Sequence, residues 1–204
     1  MDNPEIELEQ VVGEDYADAV LYEQVWERKS FVGCDFSEAD MRGLVTRGCT
    51  FTDCKFTRTD LGDSRHTTSA FRSCRFDRAV LGGAVFTSCS LLGSMFVDCS
   101  MRPITITETD LTLVSLSGAV LPKAVLAGLR MREANLESAD LTGADLRGVD
   151  LTGARMLGAK LVDTDLRGAR LDANGLVQGV LRGAKVDLDT AVAFAAAHGL
   201  VVQS

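Results

Sequence analysis

The stretch Ala-Asp-Leu-Thr-Gly-Ala-Asp-Leu-Arg-Gly at residues 139–148 contains the same five-residue unit twice. Each copy has a small residue, an aspartate, a leucine and, two places after the leucine, a glycine. Repetition at a fixed period is the first feature to test in a sequence, because it determines the whole architecture. From Phe31 to Val186 a large central residue returns at every fifth position without insertion or deletion, and only Thr46 and His66 are polar there.

A five-residue period fits neither an α-helix, which repeats near 3.6 residues, nor a strand, which repeats at two. It is typical of a short extended piece followed by a turn, with one large and one small side chain of each unit directed inward. The frequent glycine two places after the centre, as at Gly143, suits a turn with an unusual backbone conformation. Phenylalanines recur 20 residues apart, which predicts four units in each coil; they are Phe36, Phe56, Phe76 and Phe96, and Phe31, Phe51 and Phe71.

These repeats resemble the pentapeptide-repeat proteins. The resemblance implies an all-β solenoid, a right-handed quadrilateral β-helix of pentapeptide repeats, with a short C-terminal α-helix. We expect residues 1–30 to form an acidic N-terminal extension or cap that is partly disordered. Residues 31–186 would form about eight coils, or a rod of ~38 Å at the ~4.8 Å spacing of hydrogen-bonded strands. Residues 187–204 would form the C-terminal helix and serve dimerisation.

The repeat stops after Val186, where Asp187 or Asp189 can cap a helix that ends at Gly199. The residues from Ala191 to His198 are apolar nearly all round, and such a helix must be buried. It either covers its own last coil or pairs two chains, most often through a twofold axis. We predict a homodimer with an interface formed by Val192, Phe194, Ala195, Leu200 and Val201.

The formal net charge of −8 disfavours a protein that binds nucleic acid directly by neutralising phosphates. Residues 1–30 carry −7 of this charge and residues 133–165 carry −4, so the remainder is slightly basic. We predict that Asp140, Asp145, Asp150, Asp163 and Asp165 form a partner-binding acidic surface. The spacing puts Asp140, Asp145 and Asp150 on three successive sides of a coil, and Asp165 directly above Asp145. The ordinary alternative is a solvated face that keeps the rod soluble.

Residues with catalytic or metal-binding chemistry are few. Six cysteines occupy the small inward position, which favours buried small side chains over metal ligands or disulfides; they are Cys34, Cys49, Cys54, Cys74, Cys89 and Cys99. His66 has an inward central position, where a histidine is more often satisfied by its neighbours than catalytic. No phosphate-binding loop is present. We therefore expect no enzyme activity, no cofactor and no metal site.

The amino terminus lacks the pattern of a signal peptide, and no apolar run approaches the ~18 residues of a membrane span. We expect a cytoplasmic protein without membrane association.

A closer resemblance rests on a segment outside the repeat, Asp-Leu-Asp-Thr-Ala-Val-Ala-Phe-Ala-Ala-Ala-His-Gly-Leu at 187–200. With Ser-Met-Phe-Val-Asp-Cys-Ser-Met-Arg-Pro at 94–103, it is similar to fluoroquinolone-resistance members of the family from mycobacteria. That similarity implies a homodimeric rod that mimics duplex DNA, binds and inhibits DNA gyrase and alters the response to fluoroquinolones. It also implies a small GTPase as a further partner. The alternative is a non-enzymatic rigid scaffold that binds another protein.

Overall fold

The computed structural model describes residues 9–203, which coil into a four-sided β-solenoid with a helical C-terminal end. Each coil takes 20 residues, because parallel partners are always that far apart, as Phe31 is from Phe51 and Phe51 from Phe71. This confirms the predicted fold and its four units per coil. We number the four faces by the column of buried central residues that each one contributes. Face 1 holds Phe31, Phe51 and Phe71, and face 2 holds Phe36, Phe56 and Phe76. Face 3 holds Met41, Leu61 and Leu81, and face 4 holds Thr46, His66 and Phe86.

Short parallel strands form on three of the faces. Face 1 carries the sheet β1-β3-β5-β7 and the later pair β12-β13, face 2 carries β8-β10, and face 4 carries β2-β4-β6-β9-β11. Face 3 is joined by single-residue bridges, such as that between Asp40 and Asp60. The strands are β1 Glu9–Val12, β2 Val25–Glu27, β3 Lys29–Val32, β4 Val45–Arg47, β5 Thr50–Thr52, β6 Arg65–Thr67, β7 Ala70–Arg72, β8 Arg75–Asp77, β9 Val85–Thr87, β10 Met95–Val97, β11 Thr105–Thr107, β12 Asp150–Leu151 and β13 Arg170–Leu171.

The core runs along the solenoid axis and is filled by the side chains of all four columns. In the first half, rings of successive coils stack face to face, with centroids 5.0 Å apart for Phe31 and Phe51 and 4.7 Å apart for Phe51 and Phe71. In the second half, leucines such as Leu136 and Leu141 fill the same positions and are fully buried. Each such side chain contributes roughly 1.5–3 kcal/mol through burial, so the repeated central residue supplies most of the stability.

The corners of the solenoid lie two residues after each centre and have left-handed backbone. Gly183 has φ +75° and Asp163, one coil earlier, has φ +55°. A Cβ atom on Gly183 would meet Oδ1 of Asp163, so the present position of that carboxylate depends on the absence of a side chain at residue 183. The turn with unusual backbone that the sequence predicts is therefore present.

The first coil begins earlier than the sequence suggests. Strand β1 pairs with β3 in register, the ring of Tyr16 stacks 5.0 Å from that of Phe36, and Trp26 is buried. The expected boundary at residue 31 is therefore too late, and residues 9–30 are the first coil rather than an extension. Glu14 occupies the position of the small inward residue and is exposed, which is possible because an end coil has no neighbour on one side. Residues 1–8, the other part of the segment expected to be partly disordered, lie outside the described residues.

The last coil departs from the repeat. A short helix, α1 (Ala173–Leu176), replaces its second side, a feature that the unbroken sequence register does not predict. The second helix, α2 (Leu188–Ala197), starts directly after Asp187, one of the two predicted caps, and is followed by Gly199 with φ +80°, the predicted end. Asp187 stands at the N-cap by backbone conformation, but its carboxylate accepts a hydrogen bond from the Gly168 amide rather than from the helix.

Candidate functional site

His66 is fully enclosed in the core. Its ring stacks on Phe86 at 4.7 Å, its Nδ1 lies 2.8 Å from Oγ1 of Thr46, and its Nε2 lies 3.0 Å from Oγ of Ser64. Burial lowers the pKa of this imidazole to about 3, so it is neutral at physiological pH. Both ring nitrogens are satisfied by interior hydroxyls. The residue therefore has the structural role that the sequence favours, with no route to a substrate.

The six cysteines are free thiols, and all but Cys99 are buried. They sit at the small inward position and donate to carbonyls of the coil before, as Cys74 Sγ does to Phe51 O at 3.4 Å. Desolvation raises the pKa of Cys49 and Cys89, which keeps these thiols protonated and unreactive. Within residues 9–203 no group of three or more His, Cys, Asp or Glu side chains is arranged to hold a metal ion.

The predicted acidic residues occupy three faces rather than one. Asp140 lies on face 3, and Asp150 lies on face 1. Asp145 and Asp165 are bridge partners on face 4, so they stack as the 20-residue spacing predicts. Asp163 lies at the corner between faces 3 and 4. Only Asp145, Asp163 and Asp165 therefore share one edge of the rod, and we call these three residues the acidic edge.

Most of these carboxylates are paired with a base. On face 4, Arg147 donates to both oxygens of Asp145 at 2.8 and 2.7 Å, and Arg167 does the same to Asp165 at 2.9 and 2.6 Å. Lys160 Nζ stands 3.8 Å from Oδ2 of Asp140. Acidic and basic side chains consequently alternate on the outer surface of face 4. Exposed pairs of this kind contribute little to stability, roughly 0–1 kcal/mol, but they set the local electrostatic field.

Four of the five predicted aspartates, all except Asp163, have a lowered pKa that favours the charged form. The guanidinium of Arg147 lowers the pKa of Asp145, and that of Arg167 lowers the pKa of Asp165 to about 2. For the other two aspartates the largest cause is a hydrogen bond from a threonine side chain. Thr142 lowers the pKa of Asp140, and Thr152 lowers that of Asp150. Because a carboxylate that accepts strong hydrogen bonds prefers its ionised form, these side chains remain acceptors down to low pH.

The first coil is a second acidic region, and the sequence analysis missed its place on the rod. Residues 9–30 contain six acidic and two basic side chains, a net charge of −4, equal to that of residues 133–165. Asp15 is the bridge partner of Asp35 on face 2, so two carboxylates stack there. Lys55 is 3.3 Å from Asp35, whereas Asp15 has no ion-pair partner among residues 9–203. The five-residue phase of Tyr16, Leu21 and Trp26 is the sequence signal that could have assigned this segment to the rod.

The predicted dimer residues divide between two environments. Phe194 packs against the core of its own chain and, with Leu176, Leu181 and Val186, lines a cavity of about 200 Å³. Ala195 is half-buried. By contrast, Val192 is 40% exposed, and the segment after the helix is more open, with Leu200 at 63% and Val201 at 84% exposed. An apolar patch of this kind is typical of an interaction site.

The described helices are too short to span a membrane, since the longer has ten residues.

Comparison with known proteins places these features in context. The family model of pentapeptide repeats matches residues 30–65, 69–102, 109–148 and 130–168. No curated relative matches the chain.

Solved structures show similarity along nearly the whole chain. Full-length QnrB1, a plasmid-mediated fluoroquinolone resistance protein, is 26% identical with a TM-score of 0.80, covering 94% of this chain and 97% of its own. Two trypsin-treated variants of QnrB1 are 27% and 26% identical with TM-scores of 0.78 and 0.79, each covering 96% of this chain and 98% of its own. Because the repeat model matches more than half of the chain and the four-sided coil carries the repeat, the protein belongs to the pentapeptide-repeat family.

Proposed function

We propose that the protein is a non-enzymatic DNA mimic that binds DNA gyrase, inhibits it by occupying a DNA-binding surface, and so alters fluoroquinolone susceptibility. The observation that carries the proposal is the similarity over 94% of the chain to QnrB1, a fluoroquinolone resistance protein, at a TM-score of 0.80. The sequence resemblance to the mycobacterial resistance protein MfpA points to the same function. We further propose that the protein acts in the cytoplasm.

The dimensions of the rod support mimicry of duplex DNA. With the first coil included, residues 9–186 make about nine coils, which at ~4.8 Å each give ~43 Å. Two rods joined end to end then give ~86 Å, the length of about 25 base pairs at ~3.4 Å each. The exposed patch at Val192, Leu200 and Val201 supports an end-to-end homodimer through the C-terminal end. In that arrangement the acidic edge lies near the centre, and the acidic first coils lie at the two tips.

Charge distribution limits which surface can act as the mimic. Asp145 and Asp165 stack at the spacing of successive coils, but Arg147 and Arg167 flank them. Asp163 has no ion-pair partner among residues 9–203. We therefore place mimicry at the acidic edge and the first coils rather than around the whole rod.

The pairing of carboxylates with arginines also favours a second candidate function. A near-neutral face of alternating charge suits specific recognition of another protein. Complementary charges on the partner would attract it and would also fix its position along the face. A rigid scaffold with a partner other than gyrase would use such a face. The small GTPase that the resemblance implies is a partner of this kind.

A supercoiling assay tests the proposal with relaxed plasmid, purified gyrase and the purified full-length protein. We expect inhibition at micromolar dimer. In the variant Asp145→Asn/Asp163→Asn/Asp165→Asn, the half-inhibitory concentration should rise about tenfold or more, because three carboxylates at a charged interface together contribute over 1.4 kcal/mol.

The matched control is Asp110→Asn, which removes an outward aspartate on face 1 whose partner Arg130 lies 3.2 Å away. It should leave inhibition within about twofold. No inhibition by the unaltered protein would reject gyrase as the target and favour the scaffold. Equal loss in the triple variant and the control would reject the acidic edge as the binding surface.

A further inference from the structure

The coils are joined by a regular ladder of backbone hydrogen bonds. The amide of each central residue donates to the carbonyl 19 residues later, as Leu81 does to Ser100 at 2.7 Å and Leu111 does to Arg130 at 2.7 Å. The amide two places after the centre does the same, as Gly93 does to Thr112 at 3.0 Å. This ladder makes each coil the template for the next.

The ladder is interrupted at one place, between the coil that contains Met101 and the coil that contains Leu121. Here faces 3 and 4 of the two coils are not joined by backbone hydrogen bonds. Face 1 is joined both before and after the gap along the chain; after it, the Leu111 amide donates to the Arg130 carbonyl. Pro103 stands where an amide should donate and has no N–H. The amides without a backbone partner at this gap include those of Asp98, Met101, Ile106, Glu108, Val120 and Val125.

The gap is a cleft of about 730 Å³ with an apolar floor formed by Met101, Ile104, Ile106 and Leu121. A neighbouring hollow of about 300 Å³ extends it past Cys99, which explains why this is the one cysteine that is not fully buried. We call the two together the open seam. The cleft alone, at about 730 Å³, lies within the range of about 300–1,000 Å³ that is typical of ligand-binding pockets.

The rim of the open seam is basic. Arg102 and Lys123 line the cleft from opposite walls, and both are exposed. Neither has a carboxylate within 4 Å among residues 9–203, so both are available to a ligand, unlike Lys55 and Arg130, which are paired with carboxylates of the preceding coil. A ligand that enters here therefore meets unpaired amides and carbonyls, an apolar floor and two free cations.

We propose that the open seam binds an extended segment of a protein partner, which adds a β-strand between the two coils. Unpaired backbone donors and acceptors at a sheet edge give affinity for an extended peptide, and pockets for alternate side chains give selectivity. The apolar floor selects aliphatic residues at inward positions. The cations select carboxylates at the outward positions between them. This proposal is independent of gyrase binding.

The chain itself shows which peptide suits the seam. Residues 139–146, Ala-Asp-Leu-Thr-Gly-Ala-Asp-Leu, run along faces 3 and 4 one coil beyond the seam, where Asp140 pairs with Val120 and Asp145 with Val125. Ala and Leu of this segment are buried and the aspartates point outward. A synthetic peptide of this sequence, blocked at both ends and labelled with fluorescein, is therefore the probe.

Fluorescence anisotropy with the full-length protein measures the binding. We expect saturable binding of the probe, and no saturation up to millimolar protein with a control peptide in which both leucines are replaced by aspartate. Lys123→Glu should weaken binding about tenfold. The matched control is Arg28→Glu, which reverses an exposed charge at another left-handed corner and should change affinity less than about twofold.

Hydrogen exchange gives a second, independent measurement. In the free protein the amides of Met101 and Ile106 should exchange much faster than those of Leu81 and Leu111, and the probe should slow them at least tenfold. Equal protection of all four amides without the probe would show a closed seam and overturn the proposal. Absence of saturable binding, or equal loss with Lys123→Glu and Arg28→Glu, would overturn it as well.

Discussion

Acidification should destabilise the protein through His66 well before the aspartates titrate. The imidazole is fully buried between Thr46, Ser64 and Phe86, and its pKa in the native state is about 3. In the unfolded chain a histidine has a pKa near 6.5. Below that pH the unfolded state takes up a proton that the native state refuses, so the stability falls as the pH falls.

The size of the effect follows from the difference between the two pKa values. Each pH unit between 6.5 and about 3 removes about 1.4 kcal/mol, so the free energy of unfolding at pH 4.5 should be about 2.7 kcal/mol lower than at pH 7. The aspartates act in a lower window. Asp165 has a pKa of about 2 in the native state, so its contribution is present above the unfolded value near 3.9 and is lost below it.

Urea unfolding from pH 7 to 4.5, followed by circular dichroism, measures the slope. His66→Phe should abolish the dependence on pH in this window, although it leaves the hydroxyls of Thr46 and Ser64 without their partner and costs roughly 1–3 kcal/mol at every pH. His198→Ala is the matched control, because the chain has two histidines and His198 is exposed. A slope in His66→Phe equal to that of the unaltered protein would refute the reasoning.

Three further predictions concern the core, the corners and the C-terminal end. Phe51→Ala should lower the free energy of unfolding by roughly 3–5 kcal/mol through cavity formation, measured by urea unfolding; a loss below 1 kcal/mol would contradict the stacked column. Gly183→Ala should destabilise more than Gly118→Ala, because both have positive φ but only at Gly183 would the new Cβ meet Asp163; equal urea midpoints would contradict the clash. Val201→Asp should give monomers by light scattering, whereas Val20→Asp, which is also largely exposed but lies at the other end, should not; an unchanged mass for Val201→Asp would place the interface elsewhere.

The repeat made most of the fold predictable, because one rule assigns every fifth residue to the core. The same rule fails at the ends, where a coil has a neighbour on one side only. At the first coil Glu14 is tolerated at a small position, and at the last coil α1 replaces one side although the spacing of Leu171, Leu176 and Leu181 is unbroken. Periodicity reports which residues point inward but not whether the backbone of two coils actually pairs.

The candidate surfaces were less predictable for the same reason. Sequence spacing correctly placed Asp165 above Asp145, since both follow from the 20-residue coil. Sequence spacing could not show that Arg147 and Arg167 form ion pairs with these two aspartates, because that depends on side-chain conformation. The open seam was also invisible, since Met101, Ile106 and Leu121 all keep the regular pattern. Only Pro103 marked the break.

The strict 20-residue register fixes for each residue both the face on which it lies and its height along the rod. Removing 20 residues would shorten the rod by one coil, ~4.8 Å, and leave every remaining side chain on its own face. Removing five would keep the core filled but rotate everything downstream by a quarter turn, so that Asp145 and Asp165 would move from face 4 to face 3. Length changes in units of five can therefore shuffle the surfaces of such a rod while its interior stays intact, which lets new binding faces arise without a new fold.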